Sequence, residues 1–223
     1  MGIPENINKL YKELPAKVRV VAVSKTRTPE EIMDLYSAGH KLMGENKVQE
    51  LTAKKETLPD DIEWHMVGHL QSNKVKYISP FVSLIHSVDS AKLIKTINKE
   101  AGKNNRIIDC LLQIHIAKEE SKFGFSEEEV FDFLKGFSPE DFPGVRVRGL
   151  MGMATFTGDK DMVRSEFRSL AGLFNRLRES FFRESDYFNE LSMGMSSDYR
   201  IAVEEGSTMV RIGNLIFGER EIH

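Results

Sequence analysis

Two rhythms of apolar residues alternate along the chain. Short, nearly continuous apolar runs are separated by longer stretches in which apolar positions recur every three to four residues. The runs predict strands over Val18–Ser24, Lys41–Glu45, Ile62–Gly68, Val82–Val88, Ile107–Ile116, Val145–Met153, Tyr187–Met193 and Thr208–Gly213. The longer stretches predict helices. Residues 29–39 open with Pro29 at a first-turn position and close on Gly39. Residues 89–102 place Leu93, Ile94 and Ile97 on one face behind Asp89 or Ser90 as cap. Ser126 precedes three glutamates, a cap followed by an acidic first turn. Residues 160–182 carry Met162, Phe167, Leu170, Leu173, Phe174 and Leu177 at helical spacing, a stripe read as core packing against a sheet. One extra helix is expected before the first strand.

Strands too apolar to face water, each followed by a helical pattern, imply a parallel sheet covered by helices. Eight such strands in 223 residues fit a single α/β domain spanning 1–223, a closed (β/α)8 TIM-type barrel. An open doubly wound sheet fits less well, and no G-x-G-x-x-G follows the first strand.

Composition narrows the function classes. A net charge of −3 without a long run of either sign argues against a nucleic-acid partner. No stretch reaches the roughly 18 consecutive apolar residues of a membrane-spanning helix. The N-terminus lacks the apolar core of a signal peptide, and "MGIPEN" has Asn where a myristoylation signal needs Ser or Thr. Cys110 is the only cysteine, so no internal disulfide forms, and a cytoplasmic location is expected. Its setting, "IIDCLLQIHI", reads as that of a buried structural thiol.

In a barrel of this kind the chemistry lies at the C-terminal ends of the strands. Lys25 follows the first strand and shares a face with Val21 and Val23, opposite Val20, Ala22 and Ser24. Pointing inward, its amine would be desolvated, more often neutral, and able to attack an aldehyde or ketone; pointing outward, it would be a surface lysine opening a loop. Arg211 shares a face of the last strand with Met209, and the Gly213 and Asn214 amides follow at the start of a short helix, a place where such barrels hold phosphate. Ser192, Gly194 and Ser196 form a small-residue turn suited either to phosphate oxygens or to helix capping. Asn46 ends the second strand, where its amide would bond a ligand or cap the next helix. Six histidines raise a metal reading, but His65 and His69 on one strand would stand roughly 13 Å apart, too far for one ion. No G-x-S-x-G elbow supports Ser/His/Asp catalysis.

Seven segments, "AVSKT", "GENKVQE", "WHMVGHLQSNK", "SKFGF", "RGLMGM", "LSMGMSSDY" and "GSTMVRIGNLIFGER", occur in this order over nearly the whole chain. Together they resemble the pyridoxal 5′-phosphate homeostasis protein family, itself similar to the N-terminal barrel of alanine racemase and to the fold-type III pyridoxal-phosphate (PLP) proteins. The resemblance implies that Lys25 binds the cofactor aldehyde covalently and that Asn46 lies beside the ring. It implies that Ser192 and the Gly213 and Asn214 amides hold the phosphate, with Met193, Gly194 and Ser196 completing that turn, and that Arg211 faces the pyridine nitrogen. Many relatives have Thr or Ala where this chain has Asn214; a backbone donor tolerates the change.

A carboxylate paired with the pyridine nitrogen would keep it protonated and strengthen the cofactor as an electron sink. Arg211 only donates, so it would leave that nitrogen unprotonated. The last predicted strand ends at Gly213, ten residues short of the chain end, so the partner-domain tyrosine that serves racemases as second base is not expected. The leading expectation is a monomeric carrier or buffer of pyridoxal phosphate in vitamin B6 homeostasis, without substantial turnover and with apo-PLP enzymes as acceptors. Two alternatives remain: a slow alanine-racemase-like enzyme with His65, His86 or His115 as second base, and an aldolase-type Schiff-base barrel that binds no PLP. Lys122, in "SKFGF", is read either as a secondary transfer site or as an ordinary loop lysine.

Overall fold

A computed structural model describes residues 2–117 and 123–219. Eight parallel strands close in sequence order into a barrel: β1 Arg19–Val23, β2 Leu42–Glu45, β3 Glu63–Met66, β4 Leu84–Val88, β5 Ile108–Ile114, β6 Val145–Gly152, β7 Glu190–Ser192 and β8 Met209–Ile212. The seam is the β1–β8 pairing, with Val21 opposite Arg211. All eight predicted runs hold a strand, each within the predicted bounds.

Alternation along the strands separates two apolar layers. Inward-facing Val21, Val67, Leu84, Leu111, Met151 and Met209 fill the barrel. Outward-facing Val20, Ala22, Val210 and Ile212 pack with the helices, joined by Phe167 and Leu170 of the longest helix. β6 carries an extra residue: Cys110 pairs with Val147 and Leu111 with Gly149, so Arg148 is bulged out. Gly149 has φ +152, and a Cβ there would lie 1.8 Å from the Glu190 carbonyl oxygen, so β6 and β7 approach in a way only glycine allows.

Three helices begin at the starts that Pro29, Ser90 and Ser126 mark in the sequence. α1 Ile3–Glu13 is the extra N-terminal helix, with Ile7 and Leu10 buried. α2 Pro29–Ser37 opens with a Thr28/Glu31 capping box. α3 Val48–Thr57 follows β2, and the short α4 Val75–Ile78 follows β3. Ser90, rather than Asp89, caps α5 Ala91–Lys103, and Ser126 with Glu129 boxes α6 Glu127–Lys135. In α7 Lys160–Phe181 the buried stripe runs through Val163 rather than Met162. It also includes Glu166, whose carboxylate accepts the Thr155 N–H and hydroxyl at 2.7 and 2.8 Å. Short helices α8 Tyr199–Glu204 and α9 Asn214–Phe217 flank β8. Cys110 is wholly buried, and burial pushes its thiol far above the ordinary range, which fits a packing role. Among the described residues no helix is long and apolar enough to cross a membrane.

Candidate cofactor cavity

A cavity of about 440 Å³ opens at the C-terminal end of the barrel, within the range that takes a small-molecule cofactor. Lys25, Asn46, Ser196, Arg211, Gly213 and Asn214 all line it. Lys25 therefore turns inward, continuing the face of Val21 and Val23.

The backbone around Lys25 is held from outside the barrel. Lys54 of α3 donates to the Ser24 carbonyl at 2.7 Å and to Glu45 Oε1 at 2.6 Å. The Ser24 hydroxyl donates to the same Glu45 oxygen at 2.7 Å. Burial pushes the Glu45 carboxyl up against the lowering effect of Lys54 and Ser24. Beyond Lys25, Thr26 takes the left-handed conformation, φ 65, and its N–H donates to Glu50 Oε2 at 2.8 Å. Thr26 is not glycine, so this turn is maintained against local preference by the Glu50 bond.

Asn46 is not a helix cap: α3 is preceded by Lys47 and has no side-chain cap. Asn46 instead lies against Gly68, where a Cβ would come within 2.4 Å of the Asn46 carbonyl oxygen. Opposite, the Ser196 hydroxyl accepts the Gly213 N–H at 3.4 Å, and Asn214 begins α9, where backbone N–H groups lack intrahelical acceptors. Gly194 (φ +96) makes the preceding turn, since a Cβ there would lie 2.6 Å from that of Ala202.

Arg211 forms the cavity floor. It is 95% buried, donating through Nη1 to the Ser192 carbonyl (2.9 Å) and hydroxyl (2.7 Å) and through Nη2 to the Gly152 carbonyl (3.1 Å). Burial lowers its pKa to about 10, so it remains cationic at neutral pH.

Three of the residues expected to hold the phosphate do not line this cavity. Ser192, Met193 and Gly194 are absent from the cavity wall; Ser192 and Met193 are wholly buried, and the Ser192 hydroxyl is engaged by Arg211. The exposed end of that turn, Met195, Ser196 and Ser197, takes their place on the wall. The physical reason is register: β7 ends at Ser192, whose side chain points into the closed barrel below the mouth. His65 and His86, considered as second bases, are also wholly buried beneath the floor, whereas His115 lines an adjoining pocket. Lys122 lies outside the described residues.

His69, Gln113, Phe123, Met153 and Phe156 also line the wall, none of them expected there from the sequence. His69 faces Asp89 at 3.1 Å and packs on Phe123 with ring centroids 4.3 Å apart. Gln113 shares the inward face of β5 with Leu111, a placement that alternation could have revealed. Phe123, Met153 and Phe156 form an apolar rim, with Phe156 87% exposed.

The family model described as the alanine racemase N-terminal domain matches residues 2–221. A pyridoxal phosphate homeostasis protein from Aquifex aeolicus is 43% identical over 208 residues, covering 91% of this chain and 87% of that protein. One from Synechocystis is 34% identical, covering 99% and 100%. Among solved structures, PipY of Synechococcus elongatus with PLP bound superposes with a TM-score of 0.87 at 33% identity, covering 97% and 100%. An alanine racemase from Bartonella henselae, 16% identical with a TM-score of 0.70, shares the fold.

Proposed function

The chain belongs to the alanine racemase N-terminal domain family and, within it, to the pyridoxal phosphate homeostasis proteins, and from that premise we propose that it binds pyridoxal 5′-phosphate reversibly as a carrier or buffer. The observation that carries this reading is the convergence of Lys25 and Arg211 on one cavity, with the Ser196, Gly213 and Asn214 donors also on its wall. The donor set fits the group: a primary amine for an aldehyde, a guanidinium for a ring nitrogen, and hydroxyl and backbone N–H groups for a phosphate. Pyridoxal phosphate supplies an aldehyde that condenses reversibly with amines and a ring that can withdraw electrons from the product. Lys25 would hold the aldehyde end, and Asn46 would flank the ring. Ser196, Gly213 and Asn214 would hold the phosphate, in place of Ser192.

Arg211 favours carriage over turnover. A permanent donor facing a ring nitrogen keeps that nitrogen an acceptor, which weakens electron withdrawal. A second base would have to come from residues other than His65 and His86, both sealed beneath the floor. We propose further that the protein acts as a cytoplasmic monomer, and that the exposed rim of Phe123, Met153 and Phe156 leaves the cavity accessible for exchange with apo-PLP enzymes.

The test is optical. The purified protein given pyridoxal phosphate should gain a visible absorption band that borohydride fixes covalently and that Lys25→Ala abolishes. A protein that stays colourless with added cofactor refutes the reading. Rapid Lys25-dependent exchange of amino-acid α-protons in deuterated buffer would refute carriage without turnover and support a racemase-like enzyme.

A further inference from the structure

Beneath the cavity floor, polar side chains form a continuous file through the otherwise apolar barrel interior. Arg211 Nη1 meets Ser192 Oγ at 2.7 Å, Ser192 Oγ meets His86 Nδ1 at 3.0 Å, and His86 Nε2 meets His65 Nδ1 at 2.9 Å. His65 Nε2 then meets Glu63 Oε1 at 3.1 Å. Glu63 is the first residue of β3, so the file runs from the ligand end of the barrel to the opposite end. There Arg19 bridges Glu63 at 2.8 Å and Glu190 at 3.2 Å.

The termini of the file dictate the position of each proton. A carboxylate only accepts, so His65 Nε2 carries the hydrogen that reaches Glu63. The bonds from His65 and Arg19 hold the Glu63 carboxyl down to about 2, so it is ionised at neutral pH. Burial lowers both imidazole pKa values, that of His86 strongly, so both rings are neutral. Neutral His65, protonated on Nε2, presents a bare Nδ1, which must accept from His86 Nε2. Neutral His86 then presents a bare Nδ1, which must accept from the Ser192 hydroxyl. Having given its only proton to His86, the Ser192 oxygen accepts from Arg211. Each step has one solution, and all the bonds point the same way.

We propose that Ser192, His86 and His65 form a one-way hydrogen-bond relay that anchors Arg211 to Glu63 through the barrel, making the two histidines positioning residues for the cofactor ring. The relay positions and does not conduct. Its upper end is a guanidinium without a lone pair, so reversing the bonds would require Arg211 to accept a proton it has no site for. The file therefore cannot supply the cavity with a proton, and its bonds help fix the plane of a guanidinium that lines the cavity.

The role toward the ring rests on the proposed cofactor; the relay itself does not, and its test separates the two. Long-range proton–nitrogen correlation spectra of ¹⁵N-histidine-labelled, cofactor-free protein at pH 7 should show both His65 and His86 neutral and protonated on Nε2. An Nδ1-protonated or doubly protonated ring at either position overturns the relay, whatever the protein binds. In cofactor-loaded protein, His86→Leu cuts the file and should weaken pyridoxal phosphate binding about tenfold and shift its visible band. His86→Gln, whose amide can accept from Ser192 and donate to His65, should restore both. Ser192→Ala, a smaller change that spares the barrel packing, should shift the band in the same direction as His86→Leu. Unchanged affinity and spectrum in a folded His86→Leu or Ser192→Ala protein would overturn the positioning role. Failure of the unmodified protein to bind the cofactor would refute the proposed function and leave the tautomer result to decide the relay.

Discussion

Lys54→Met isolates the support behind the Lys25 turn. Glu45 is wholly buried and the Lys54 side chain is 9% exposed, so their 2.6 Å contact is a desolvated ion pair. Removing one partner of such a pair strands the other charge, at a cost of about 3–5 kcal/mol, a large share of the roughly 5–15 kcal/mol by which a domain is stable. Glu45 Oε2 is already buried without a hydrogen-bond partner, so the carboxylate has little compensation to fall back on. Urea unfolding at pH 7 should show the midpoint falling by this cost divided by the slope, with the slope itself unchanged. The pH dependence supplies a signature. Burial already raises the Glu45 pKa, and losing Lys54 raises it further, so the variant's native state takes up a proton as the pH falls. The difference between variant and parent should therefore shrink from pH 7 to pH 5.5. Adding Glu45→Gln should recover much of the loss. A cost below about 1 kcal/mol, or additive losses in the double variant, would refute the picture of a buried pair supporting Ser24. Slower borohydride trapping of cofactor by Lys54→Met would connect that support to Lys25.

Acid should destabilise the parent protein well before carboxylates titrate. His65 and His86 have folded pKa values below the ordinary 6.5, so their contribution is present above pH 6.5 and lost as the pH falls below it, up to about 1.3 kcal/mol each between pH 7 and 5.5; a flat urea midpoint across that window would contradict the neutral buried rings. Gly68→Ala should lower cofactor uptake, because its Cβ would press within 2.4 Å of the Asn46 carbonyl oxygen, and binding equal to the parent's would show that Asn46 is not held there. Gly149→Ala should cost several kcal/mol, beyond the roughly 1–3 kcal/mol usual for overpacking, since the added carbon meets Glu190 backbone at 1.8 Å in a conformation closed to L-residues; a thermal midpoint within a few degrees of the parent's would refute the close strand approach.

The barrel was readable because its signal is repeated. Eight apolar runs, each buried on both faces, resemble nothing so much as parallel strands, and the helix starts at Pro29, Ser90 and Ser126 use residue chemistry local to the sequence. α3 was less legible: its inward face includes Lys54, a buried lysine that defeats an apolar periodicity and makes sense only beside Glu45. At the site, alternation put Lys25 on the face of Val23 and Arg211 on that of Met209 but left the direction of Lys25 open; in the fold both line the cavity. It could not say at what depth a strand meets the mouth. Ser192 and Ser196 belong to one motif four residues apart, yet one lies under the floor and the other on the wall. The relay was hidden for a related reason. His65, His86 and Ser192 come from three strands, and only the stagger of a closed barrel brings them into file with Arg211.

The two ends of the proposed cofactor thus meet supports of opposite kinds. Lys25 is held from the helix side, where Lys54 and Glu50 grip the residues before and after it. Arg211 is held from the barrel interior through Ser192 and two neutral imidazoles. Neither support involves the exposed rim, so the rim can vary or move without disturbing the amine or the guanidinium. A binding site that fixes the reactive ends of its ligand and leaves the approach open suits exchange by imine transfer. A turnover enzyme would gain from the reverse arrangement, with a closed, dry cavity and a carboxylate against the ring nitrogen, because there the electron sink and the exclusion of water determine the rate. Arg211 cannot take the place of that carboxylate, because a guanidinium only donates and leaves the ring nitrogen an acceptor.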